Sequence, residues 1–163
     1  MLTVNLSRDE QGLYLGHNGG ETRNVHDQLH QIWRGMADEG LISEEQYRNG
    51  TVNNFYKSPS EFMAPLKDSD SPAYRNGLRL VDERTVYVKC PYRRRWNEDG
   101  NTATFAAGLM ATIRSWSRHS FASAAGDQAA DTVYQRLEQR IADAPSEWSL
   151  DYVEHHQMME RVA

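Results

Sequence analysis

Hydrophobic and polar positions change period several times along this chain, and each change marks an element. Leu2, Val4 and Leu6 alternate with Thr3 and Asn5, the period of two that sends successive side chains to opposite faces of a strand, and the polar stretch Arg8-Asp9-Glu10-Gln11-Gly12 closes it. Gly16-His17-Asn18-Gly19-Gly20 reads as a loop. Val25, Leu29, Ile32, Trp33 and Met36 then recur three and four apart, which predicts a helix from a Thr22 cap to Gly40. Ser43-Glu44-Glu45-Gln46 and Ser58-Pro59-Ser60-Glu61 both have the form of a capping box, in which a hydroxyl and a side chain three residues on satisfy each other's free backbone donors. They predict two short helices, the second over 59–66 and stopped near Pro65. Asn49 to Lys57 reads as loop and Asp68 to Pro72 as turn.

Leu78, Leu80, Val86 and Val88 predict a long strand with an irregularity near Glu83, and residues 93–101 a charged loop. Phe105, Leu109, Ile113, Trp116 and Phe121 mark a long helix, and Val133, Leu137 and Ile141 another from Asp127 to Ala144, ended by Pro145. Leu150 to Glu160 is polar for a central strand and is predicted to be an edge strand. Strand, helices, strand, helices, strand is an α/β order, taken as a single domain over 1–163. Its three strands are few for the helices to cover, so either the sheet is completed by more chain, a second chain or a second copy, or one of the predicted helices is not a helix.

Composition narrows the function classes. The chain has 163 residues, and its four Trp, eight Tyr and four Phe supply core side chains despite 25% charged residues. Eighteen Lys and Arg against 23 Asp and Glu leave a net charge of -5, which argues against nucleic acid or an anionic membrane as a partner, since both need a basic footprint. Cys90 is the single cysteine, so neither an internal disulfide nor a thiolate metal site is available, and a buried structural thiol is expected. No apolar run approaches membrane-spanning length, and the expectation is a cytoplasmic protein.

Several residue groups invite chemistry. His26 and His30 share a helix face and could hold a metal, but Asp27 is one methylene short of the zincin glutamate and no third ligand follows. His155 and His156 are neighbours on a strand and point to opposite faces. Arg93-Arg94-Arg95-Trp96 is a dense basic run, read as a solvated loop with phosphate contact as the sharper alternative. The Gly16–Gly20 run lacks the Gly-x-Gly-x-x-Gly spacing of a phosphate loop.

The opening Met1-Leu-Thr-Val-Asn-Leu-Ser-Arg resembles a late sheet strand of S-adenosylmethionine-dependent carboxyl methyltransferases of the SABATH type. Ile32-Trp-Arg-Gly-Met-Ala-Asp-Glu-Gly-Leu-Ile42 resembles that family's helix ending in Glu-Gly-Leu-Ile, and Asn54-Phe-Tyr-Lys-Ser-Pro-Ser-Glu61 resembles its Tyr-x-x-Ser-x-x-Glu turn, at a matching separation. Leu78–Val88, Ala111–Trp116 and Tyr152–Val162 are similar to its penultimate strand, a later helix and its last strand. The resemblance implies the C-terminal part of a Rossmann-like methyltransferase sheet, about three strands, with a helical substrate cap. It also implies S-adenosylmethionine as cofactor and a small-molecule carboxylate as substrate. Its substrate-facing positions fall on His26, Trp33, Tyr56, Leu109, Met110 and Ile113. For Tyr56 a pocket role and plain packing stand equal, and the Leu109, Met110, Ile113 stripe has the spacing of an ordinary core. The family's glycine-containing nucleotide loop and acidic ribose partner have no counterpart in these residues, so the chain is expected to be inactive without a cofactor-binding half. A carboxylate is already ionised near neutral pH, so methylation of one asks for alignment and a dry pocket more than for an acid or a base.

Overall fold

The computed structural model describes residues 1–14, 23–52 and 54–162. The Gly16–Gly20 run and the Thr22 cap lie outside the described residues. The elements are β1 (Leu2–Ser7), α1 (Val25–Asp38), α2 (Glu44–Asn49), α3 (Pro59–Lys67), α4 (Pro72–Arg75), β2 (Leu78–Val88), α5 (Pro91–Asp99), α6 (Thr102–Ala125), α7 (Asp127–Asp143), a 3-10 turn over Pro145–Glu147, and β3 (Tyr152–Arg161). They divide into a sheet unit (Met1–Leu15, Phe55–Lys89, Asp151–Ala163) and a helical unit (Gly16–Asn54, Cys90–Leu150).

In the sheet unit the strand order is β1-β3-β2 and both pairings are antiparallel. This corrects the reading of 150–160 as an edge: β3 is the central strand. Its backbone is paired on both sides, while only one of its faces needs to be apolar or covered. Val153, His155, Gln157 and Met159 are buried, and Glu154 and His156 on the opposite face are hydrogen-bonded, Oε2 to Nε2, at 2.8 Å. The two neighbouring histidines do point to opposite faces, His155 fully buried and His156 partly exposed. The irregularity in β2 lies between Leu80 and Asp82, earlier than Glu83. Helix α3 belongs to this unit and lays Phe62 against the His155 ring, with centroids 5.6 Å apart. Both halves of its capping box are made, Ser58 N–H donating to Glu61 Oε2 at 2.7 Å and Glu61 N–H to Ser58 Oγ at 3.3 Å. The helix runs through Pro65 to Lys67, giving up one intrahelical bond for want of the proline N–H. The 68–72 turn leads into a further short helix, α4, whose cap Ser71 accepts from Tyr74 N–H at 3.0 Å.

In the helical unit α1, α6 and α7 bury Leu29, Ile32, Trp33, Met36, Ile113, Phe121, Val133, Leu137 and Ile141, the three-and-four spacing of each helix turned inward. The cap of α1 is Asn24, whose side chain accepts from His26 and Asp27 N–H at 2.9 and 3.3 Å. Inside the packed helices the Ser117 hydroxyl meets the Tyr134 hydroxyl at 2.8 Å. The basic run is helix α5, a correction to the charged loop read from the sequence. Pro91 takes the first helical position and Cys90 is the cap, its Sγ accepting from Arg93 N–H at 3.4 Å. Cys90 is buried, as expected. Arg93 is a tie rather than a solvated cation: its guanidinium donates to the carbonyls of Pro145 at 2.7 Å, Ser146 at 2.7 Å and Trp148 at 3.0 Å, and lies over the Trp96 ring. No described helix is long and apolar enough to cross a membrane.

Candidate functional site

Helix α1 carries the site because its buried face and its rim alternate. Trp33 is 2% exposed and lies on the inner face, while His26 and His30, four apart, stand at the edge of the same groove. The groove has a volume of about 370 Å³, within the range of small-molecule sites. Its aromatic floor is Trp33 against Phe121 of α6, ring centroids 4.9 Å apart. Trp33 Nε1 donates to the Tyr47 carbonyl at 3.0 Å, which fixes the indole and draws α2 over α1. Gly50, the cap of α2, makes that approach possible: a Cβ there would stand 2.5 Å from Trp33 Nε1.

The rim is polar. His26 packs on Trp116 at 5.3 Å between centroids, and burial holds its imidazole below the usual histidine range against the opposing pull of Asp27. It is therefore neutral near pH 7, one nitrogen a donor and the other an acceptor. His30 faces Tyr47, with Nε2 and the phenol oxygen 3.5 Å apart. Arg34 covers the Tyr47 ring at 4.5 Å and is itself neutralised by Asp38 and Glu44. Exposed Arg48 and the Asp27 carboxylate are the charged residues of the lining.

Of the positions implied by the family resemblance, His26 and Trp33 come together in this groove. Leu109, Met110 and Ile113 are buried in the core of the same unit and do not line it. Tyr56 belongs to the sheet unit, where it stacks on Tyr14 at 5.2 Å and burial raises its pKa. Tyr47, Gly50 and Phe121 escaped the sequence reading as groove residues. Phe121 shows there only as one member of a helical stripe, and the Gly50 contact with Trp33 has no local signature.

Among the described residues no group of three His, Cys, Asp or Glu side chains could hold a metal ion. The described residues do not fit an adenosyl cofactor either. Gly50 and Gly108 seat the rings of Trp33 and Tyr92, Gly77 faces the Val162 carbonyl, and Gly12, Gly40, Gly100 and Gly126 face open space. The strand-to-helix turn between β2 and α5, Lys89-Cys90, contains no glycine, whereas a cradle for such a cofactor uses glycines at that kind of turn. Neither a protein-family model nor a curated protein matches the chain significantly.

Proposed function

We propose that the helical unit is the substrate cap of an S-adenosylmethionine-dependent carboxyl methyltransferase, that it receives a small aromatic carboxylate in the groove between α1, α2 and α6, and that the Rossmann-like sheet and the cofactor site are completed from outside these 163 residues. The observation that carries this reading is the groove itself: the buried Trp33–Phe121 pair closes its base, and neutral His26 and the cation Arg48 are the lining groups that would orient an acid, against the Asp27 carboxylate in the same lining. In such a reaction the cap aligns the carboxylate and excludes water, and the methyl donor is held elsewhere.

Titration with benzoate, followed by tryptophan fluorescence, tests the reading. Saturable binding is expected, about tenfold weaker for His26→Ala and for benzamide in place of benzoate. Absence of saturable benzoate binding overturns the cap, and tight binding of S-adenosylmethionine by the isolated chain overturns the external cofactor half.

A second reading, a non-catalytic oligomerisation module, is favoured by one feature. β1 is an edge strand of this sheet and carries the exposed apolar side chains Leu2, Val4 and Leu6.

A further inference from the structure

At the end of the sheet unit remote from any assigned role, three arginines converge on one cavity of about 630 Å³: Arg75 of α4, Arg79 of β2 and Arg161 of β3. The chain geometry that gathers them is specific. Gly77 joins α4 to β2 with φ +83° and lies so close to the Val162 carbonyl that a Cβ would collide with it. The Val162 N–H in turn donates to the Gly77 carbonyl at 2.8 Å, pinning β3 to this turn. Two of the guanidiniums are held in place by neutral groups. Arg79 lies flat on the Tyr74 ring at 3.4 Å and donates to the Tyr74 and Leu78 carbonyls at 2.7 and 2.9 Å through one terminal nitrogen. Arg75 grips the Asp70 carbonyl, its Nε at 2.8 Å.

Among the described residues none of the three makes an ion pair within 4.0 Å. Even Glu160, paired with Arg79 in the strand register, does not neutralise it. In a chain of net charge -5, three guanidiniums without an ion-pair partner among the described residues, two of them pre-oriented, gather positive charge around one cavity and favour an anion there. Their planar donor forks match phosphate oxygens, and the cavity has room for more than one phosphate.

We propose that Arg75, Arg79 and Arg161 form a binding site for a small molecule bearing a diphosphate group. The site lies wholly in the sheet unit and is independent of the proposed acid-binding groove, so either can fail without the other. Calorimetric titration with inorganic pyrophosphate is expected to show saturable one-to-one binding that weakens with salt. Arg161→Ala, which removes a side chain with no partner among the described residues, should weaken it about tenfold, and Arg75→Ala with Arg161→Ala should abolish it. Arg95→Ala in α5 should leave it unchanged, and circular dichroism should show every variant folded. No saturable binding, equal loss with Arg95→Ala, or preference for citrate over pyrophosphate overturns the proposal.

Discussion

His155 is the residue whose surroundings least suit it. It is fully buried on the covered face of the sheet, stacked on Phe62, with Nδ1 3.6 Å from Glu83 Oε2 and neither ring nitrogen hydrogen-bonded among the described residues. Burial lowers its pKa, Glu83 and the more distant Glu10 oppose that shift, and His156 reinforces it. The unfolded chain takes up a proton near pH 6.5, whereas the folded chain resists protonation until lower pH. Stability is therefore level above about pH 6.5 and falls as the pH drops below it. His26, lowered in the same direction, adds to the slope. His155→Leu removes two unsatisfied buried nitrogens at similar volume and is expected to raise stability by about 1 kcal/mol near neutral pH, with a larger gain in mild acid. Urea denaturation above and below the histidine range measures both. A variant less stable than the parent, with the acid slope unchanged, contradicts this account.

At the scale of elements, helix caps decide what holds the groove open. Asn24 satisfies two backbone donors in the first turn of α1, one of them belonging to His26. Asn24→Ala is expected to cost about 1 kcal/mol, to raise hydrogen exchange at the amides of that turn and to weaken benzoate binding, whereas Asn24→Ser retains all three. Unchanged benzoate binding in a frayed Asn24→Ala variant would separate the cap from the groove. The two capping boxes, at Ser43 and Ser58, were legible in the sequence because each is a contract between residues three apart. The stripes of α1, α6 and α7 were legible because their period is local as well. What was hidden depends on partners distant in the chain. The 91–99 segment is polar enough to read as loop, and it becomes helix α5 because a thiol caps it and Arg93 finds three carbonyls some fifty residues away. The centrality of β3 is a matter of pairing, which alternation of side chains does not encode. The floor of the candidate site was half legible: Trp33 lies on a visible stripe, but its contacts with Phe121 and Gly50 are set by packing alone.

For the whole molecule the open question of chemistry is what meets the sheet at β1. Register places Leu2, Val4 and Leu6 opposite Met158, His156 and Glu154, on the face away from His155, where the exposed Met158 extends the apolar stripe of the edge strand onto β3. Leu2, Val4 and Leu6 are each about half exposed or more, beside backbone groups of β1 that no described strand pairs. Such an edge accepts another strand, and two copies meeting antiparallel about a twofold axis would join their sheets and cover both apolar stripes. If a separate cofactor-binding half is the natural occupant, self-pairing is the weaker substitute that forms when the chain is alone. Light scattering is therefore expected to show a dimer that dissociates on dilution. Val4→Lys should weaken it about tenfold, because a charge on the stripe opposes its own symmetry mate without touching the groove. Benzoate binding by Val4→Lys should match the parent, which separates loss of the edge contact from loss of the fold. A chain that stays strictly monomeric at high concentration would remove the oligomerisation reading and leave the edge without a demonstrated affinity for a strand.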